Sequence, residues 1–303
     1  MRPRTTILMA LLITWGAAPL VQAETPKGPS RPSARLVSFD DVQGRLGAPG
    51  LRLLDARPKA DYDKGHLPGA VWADPKAAEQ LASRPGGLTD EAAWEAWIAP
   101  LAIGPEDEVL IYDANRQKDA ARFWWLLSYL GLEKVGLIDG GFPLWAREGR
   151  PVTTEVPRVP PRPFKVSFRA DRHATRAEVL ETLKGKQARI IDARSRAEHT
   201  GEQRRSKRAG RIPGAGHLEW ADLVDKDGRF LDEAALRTKL TKAGVKPGEV
   251  VITHCQGGGR ASVDAFVFER LGYPARNYYL GWSDWGNADE TPVEAESEAD
   301  RKR

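Results

Sequence analysis

A set of short segments occurs twice along this 303-residue chain, in the same order, so whatever the first half folds into the second half repeats. Val37-Ser38-Phe39-Asp40-Asp41-Val42 is answered by Ala174-Thr175-Arg176-Ala177-Glu178-Val179, each opening a short helix. Leu53-Leu54-Asp55-Ala56-Arg57 is answered by Ile190-Ile191-Asp192-Ala193-Arg194, and Gly65-His66-Leu67-Pro68-Gly69-Ala70 by Gly210-Arg211-Ile212-Pro213-Gly214-Ala215, with extra residues inserted in the second copy. The apolar run Val109 to Tyr112 pairs with Val250 to Thr253, and the helical stretch Phe123 to Leu130 before Gly131 pairs with Asp264 to Leu271 before Gly272. Gly140 with Trp145 is set against Gly281 with Trp285.

Each half alternates short apolar strands with helical segments, which calls for an α/β fold with a mostly parallel sheet flanked by helices. The expected domains span residues 34–147 and 171–286. Between them, 148–170 forms a linker: Pro151 to Pro163 holds five prolines, which resist helix and keep the chain extended. Phe164-Lys165-Val166-Ser167-Phe168 alternates like an edge strand entering the second domain. The tail 287–303 is acidic, ends in Arg301-Lys302-Arg303, and has few apolar residues, so it reads as disordered.

The chain has a single cysteine, Cys255, at the junction of two patterns. The β-branched run before it suits a buried strand, and Val263, Phe266, Val267 and Leu271 after it fall at helical spacing. A strand-to-helix turn aims backbone amides and the positive end of a helix at one point, where a thiolate is favoured. Gly257, Gly258 and Gly259 clear side chains from the sulfur and let the backbone curl around an anion. A buried, inert cysteine would need neither three glycines nor Arg260 after them. Four residues separate Cys255 from Arg260, one fewer than in the Cys-x5-Arg loop of cysteine phosphatases.

This loop resembles the active loop of rhodaneses, sulfurtransferases that carry sulfur as a cysteine persulfide. The segments Ile190 to Arg194 and Gly210 to Ala215 look like the two signatures that precede the cysteine in those domains. The resemblance covers residues 34 to 286 and implies a tandem protein whose first copy is non-catalytic, because the sequence pairing sets Ala114 opposite Cys255. It implies that Cys255 attacks the outer sulfur of a small anionic donor, that the amides of Gln256, Gly257, Gly258, Gly259 and Arg260 hold the resulting charge, and that a thiol or cyanide accepts the sulfur. It implies no metal and no organic cofactor.

Several side chains admit two readings. Arg260 either holds the donor's anionic end or pairs with a carboxylate behind the loop. Arg194 has the family position of a substrate contact, yet the Asp192 and Arg194 pair is mirrored by Asp55 and Arg57, which favours a structural ion pair. Strand alternation sends His254 to the face opposite Cys255, as a satisfied buried histidine rather than a base. His66, His199 and His217 show no metal-site spacing. Trp220 and Trp282 read as core rather than cleft, and Arg204, Arg205, Lys207 and Arg208 as a solvated loop. The loop matches neither the basic loops of classical thiosulfate enzymes nor the Cys-Gly-Ser-Gly-Val-Thr type of mercaptopyruvate enzymes. Glu198-His199 stands where the latter carry an arginine-phenylalanine pair, so thiosulfate is the preferred donor.

Two alternatives from other classes remain: a non-enzymatic persulfide carrier that docks a partner, and a small-anion phosphatase or arsenate reductase. At the start of the chain, Arg2 and Arg4, an apolar stretch from Ile7 to Ala18 and a small-residue end at Val21-Gln22-Ala23 read as a secretory signal over 1–23, too short for a comfortable membrane span. The expectation is an exported, periplasmic protein with no stable membrane insertion. One cysteine cannot form an internal disulfide there, so the exported thiol is reactive or pairs between molecules. Removing the two signal arginines takes the formal charge from +4 to +2, which gives no indication of nucleic-acid binding.

Overall fold

The computed structural model describes residues 34–185 and 188–296. The signal segment 1–23 and the end of the tail, 297–303, lie outside the described residues. In the first half, β1 (Arg35–Val37), β2 (Leu51–Asp55), β3 (Val71–Trp72), β4 (Glu108–Tyr112) and β5 (Val135–Ile138) form a sheet in the order β1-β5-β4-β2-β3. Every pairing in it is parallel. Its helices are α1 (Phe39–Gln43), α2 (Lys59–Lys64), α3 (Pro75–Ser83), α4 (Glu91–Ile98), α5 (Lys118–Tyr129) and α6 (Gly141–Arg147). Successive strand residues serve opposite faces. Leu54 and Ile111 join one apolar cluster with α5, whereas Leu53 and Leu110 join another with Phe39, Val42 and Trp145.

The second half contains α7 (Arg176–Gly185), β6 (Arg189–Asp192), α8 (Arg196–Thr200), β7 (Gly216–His217), α9 (Glu233–Lys242), β8 (Val251–His254), α10 (Gly259–Arg270), β9 (Ala275–Tyr278) and α11 (Gly281–Trp285). Its strands run parallel in the order β7-β6-β8-β9. The place of β1 is taken by one parallel bridge, His173 to Asn277.

The two halves share a core. Their central helices α5 and α10 meet through Trp124, edge-on to Phe266 at 5.0 Å between ring centroids, while Trp125 stacks on Tyr279 at 5.0 Å. A single cluster of buried apolar side chains draws on both halves. Arg172 and Glu269 form a buried ion pair at 3.0 Å, with the guanidinium 5.0 Å from the Trp124 ring centroid. The linker lies on the first half, where Thr153 and His66 exchange backbone hydrogen bonds of 2.9 Å and the Arg162 amide donates to the Ala99 carbonyl.

Three expectations need correction. Phe164 to Phe168 is extended but joins no sheet: the Ser167 and Arg169 amides donate to the carbonyls of Leu130 and Tyr129 at the end of α5. Residues 287–296 are packed rather than disordered. Glu294 pairs antiparallel with Arg211, Thr291 is buried, and the Trp285 indole donates to the Pro292 carbonyl at 2.8 Å. Arg208 is likewise drawn out of solvent, its guanidinium donating to the carbonyls of Trp285, Ala288 and Thr291.

Candidate active site

In parallel α/β sheets, sites form beyond the carboxyl ends of the strands. Cys255 follows β8 there and is 2% exposed. Strand register fixes what faces it in the other half. Asp55 pairs with Tyr112 and Asp192 with His254, so the next residues, Asp113 and Cys255, occupy equivalent places. The pairing of Ala114 with Cys255 is therefore one residue off, and the first half's loop is one residue longer before its helix. The glycine pairing shifts too. It is Gly141, not Gly140, that matches Gly281, because Phe142 and Trp282 donate their amides to the carbonyls of Asp113 and Cys255, at 2.8 and 2.7 Å.

The first half shows what such a turn stabilises. The Asp113 carboxylate accepts the amides of Asn115 and Gln117 at 3.1 Å, Asp119 at 2.9 Å and Ala120 at 3.1 Å. Burial and Asp119 push its carboxyl up to about 6 against the pull of those amides, so it is an anion at neutral pH. In the second half, the amides of Gln256, Gly257, Gly258 and Arg260 meet no acceptor among the described residues, and the Cys255 side chain stands at the equivalent position.

Several contacts hold that loop in shape. Gly258 adopts φ +81°, and a Cβ there would lie 2.3 Å from the Tyr279 ring, so only glycine fits. Ser262 Oγ donates to the Gly258 carbonyl at 2.9 Å, Asn277 Nδ2 donates to Ser262 Oγ at 3.1 Å, and Thr253 Oγ1 donates to the Ala261 carbonyl at 3.0 Å. Gln256 Nε2 donates to Ser206 Oγ at 3.2 Å, tying the loop to the inserted basic segment. In that segment Arg204, Arg205 and Lys207 are exposed. Trp220 packs on the small cluster of Ala193, Cys255 and Ala261, placing it beside the sulfur, whereas Trp282 is core.

The two arginines with open roles are both paired. Arg260 donates to Glu198 through Nη1 at 2.6 Å and Nη2 at 3.0 Å. Burial works against the Glu198 charge, but the Arg260 guanidinium holds its carboxyl below the usual range. Arg194 is 1% exposed and donates to both Asp192 oxygens and to the Gly210 carbonyl, over the Trp282 ring. Arg57 does the same with Asp55 and the Gly65 carbonyl. Arg194 is therefore held in the same buried ion pair as Arg57. His199 Nδ1 shares the Asp192 carboxylate at 3.0 Å.

His254 is buried, as the alternation implies, but it is not satisfied: neither ring nitrogen has a hydrogen-bond partner, and Nε2 lies 3.9 Å from Asp192. Burial lowers its pKa to about 4. Between the ordinary histidine value near 6.5 and about 4, the unfolded chain binds a proton that the native ring refuses. Stability therefore falls as pH falls through that window, by about 3 kcal/mol for this group. His254→Leu removes no hydrogen bond and is expected to unfold in urea much like the unmodified protein at pH 7.5, yet to be the more stable of the two at pH 5. Equal losses on acidification would contradict this.

Three residues of the site were not found in the sequence. Asp264, on α10, is fully buried with neither carboxyl oxygen partnered, and burial pushes it well above the ordinary carboxylate range. Tyr279 backs Gly258. Arg122 reaches over from α5 of the other half, its Nη1 donating to the Tyr279 hydroxyl at 3.1 Å. The only signal for Arg122 was a lone charge beside the apolar run Phe123 to Leu127.

Comparison with known proteins places the fold. The rhodanese-like domain matches twice, over residues 38–148 and 175–288. A thiosulfate sulfurtransferase of Pseudomonas aeruginosa is 35% identical over 86% of this chain and 96% of its own length. The sulfur carrier protein TtuD of Thermus thermophilus is 34% identical, covering 85% of this chain and 95% of its own. The crystal structure of the 3-mercaptopyruvate enzyme SseA from Escherichia coli superposes with a TM-score of 0.71 at 25% identity, over 82% of this chain and 99% of that one. With both of its sheets, both of its strand-to-helix turns and nearly the full length of these relatives accounted for, the chain belongs to the rhodanese-like domain family.

Proposed function

We propose that this protein transfers sulfane sulfur from thiosulfate, through a persulfide on Cys255, to a thiol or cyanide. The observation that carries this reading is the equivalence of Cys255 with Asp113. A turn that gathers four amides on a carboxylate in one half has amides without an acceptor among the described residues next to the cysteine in the other. In the first step the Cys255 thiolate attacks the outer sulfur of thiosulfate. A bond from Cys255 Sγ to that sulfur forms, the sulfur–sulfur bond within thiosulfate breaks, and its electron pair leaves with sulfite. In the second step cyanide or a thiolate attacks the outer sulfur of the persulfide, and the Cys255 thiolate is restored. Covalent transfer thus splits one difficult step into two. The name of the Pseudomonas relative supports thiosulfate as donor.

Export to the periplasm belongs to the same proposal, on the basic start, apolar run and Val21-Gln22-Ala23 end of the chain. Intact-protein mass tests both parts. The exported chain should lack residues 1–23, should gain one sulfur from thiosulfate faster than from 3-mercaptopyruvate, and should lose it to cyanide. Faster loading from 3-mercaptopyruvate would reassign the donor. Loading without turnover, together with a stable protein complex, would favour a carrier, the role named for the Thermus relative.

A further inference from the structure

We propose that Arg122, contributed by the half that has no cysteine, is a positioning residue that holds positive charge against the Cys255 loop during sulfur transfer; this rests on the sulfurtransferase reading. The loop's own cation, Arg260, also acts on Cys255, but it is bound through two nitrogens to the buried Glu198, which offsets its charge, and Arg194 is bound to Asp192. Arg122 is 6% exposed, and its guanidinium rests against Gly259, the first residue of α10: a Cβ on Gly259 would stand 2.6 Å from Nη2 and 3.0 Å from both Nε and Cζ. The third glycine of the loop is thus the seat of an arginine from the other domain.

Its partners do not cancel the charge at the loop. Tyr279 is a neutral hydroxyl, and its ring in turn packs on Gly258. Glu79 approaches Nη2 at 3.2 Å from a side chain that is 53% exposed, so water screens it. Burial opposes ionisation of Arg122, and the nearby Tyr279, Glu79 and Cys255 outweigh it, keeping the guanidinium protonated. A buried cation whose one carboxylate partner among the described residues is half exposed leaves a positive potential that reaches Cys255. That is where negative charge resides through the cycle, first as thiolate, then as persulfide, with sulfite leaving. Arg122 does not touch the donor; it acts through the loop.

The test uses the full mature chain and two alkylating probes for Cys255, anionic iodoacetate and neutral iodoacetamide, read by intact mass. A local positive charge raises the ratio of their rates, while a purely structural change moves both rates together. Arg122→Met should lower the iodoacetate-to-iodoacetamide ratio about tenfold and slow sulfur loading from thiosulfate by a similar factor, and Arg122→Lys should recover most of both. Glu79→Gln, a surface change, should raise the ratio, and it decides the matter alone should Arg122→Met fail to fold. An unchanged ratio in folded Arg122→Met, a lysine variant no better than methionine, or a lower ratio in Glu79→Gln would overturn the proposal. Failure of the sulfurtransferase reading would show separately, as no sulfur loaded from any donor onto the unmodified protein.

Discussion

Cys255→Ser protein incubated with thiosulfate is expected to gain no sulfur and to form no thiocyanate from cyanide, while its circular dichroism matches that of the unmodified chain. Serine keeps the shape of the side chain but cannot form the sulfur–sulfur bond that defines the intermediate. No second route exists within the molecule, because the chain has one cysteine and the equivalent position holds Asp113. The site sits among Ala193 and Ala261, so a hydroxyl there costs about 1–2 kcal/mol, which lowers the unfolding midpoint slightly without emptying the native state. Measurable turnover in the serine variant would remove Cys255 from the chemistry altogether.

Gly281→Ala should be nearly as damaging to activity although it leaves every reacting atom in place. Gly281 adopts φ +52°, and a Cβ on it would stand 2.2 Å from the carbonyl oxygen of Cys255 and 3.0 Å from its carbonyl carbon. The added methyl group must push the cysteine's own peptide out of position and break the hydrogen bond from the Trp282 amide. Strained backbone and overpacking together should cost about 3 kcal/mol of stability. A displaced loop should slow sulfur transfer about 100-fold in the molecules that remain folded. The comparison lies in the other half. Gly141→Ala meets the Asp113 carbonyl at 2.7 Å with φ +65°, so it should lose similar stability in urea unfolding. Its activity per folded molecule should stay within about twofold, because the loop it displaces carries no sulfur. Equal activity losses in the two variants would show that the halves are coupled more tightly than this separation allows.

Much of the architecture was legible because it follows from periodicity. Short, nearly continuous apolar strand runs and helices of regular spacing repeat in both halves, and the parallel sheets and the turn after β8 follow from that pattern. Register was not legible to the last residue. Val250 and Val251 are the same residue type, so apolar pattern alone permits either to match Val109, and only the hydrogen-bonded ladder chooses Val251. That slip hid Asp113 behind Ala114.

The ordering of 287–296 was missed for a different reason. It rests on backbone pairing of Arg211 with Glu294 and on carbonyls collected by Arg208, which composition does not register. Arg260 and Arg194 could not be assigned without coordinates, since a guanidinium serves a buried carboxylate and a bound anion by the same hydrogen bonds. Arg122 stands opposite Val263 in the repeat, so comparison of the halves gave no sign of it.

Asp113 also settles how the first half meets small anions. Its carboxylate is tethered to the loop whose amides it occupies, so its effective concentration there is of millimolar order or higher, and no ordering cost remains to be met when it binds. A free anion must displace this resident ligand before it gains a single hydrogen bond. At neutral pH the first half therefore carries its own built-in competitor for anions, and its turn is already occupied where the turn after β8 is open.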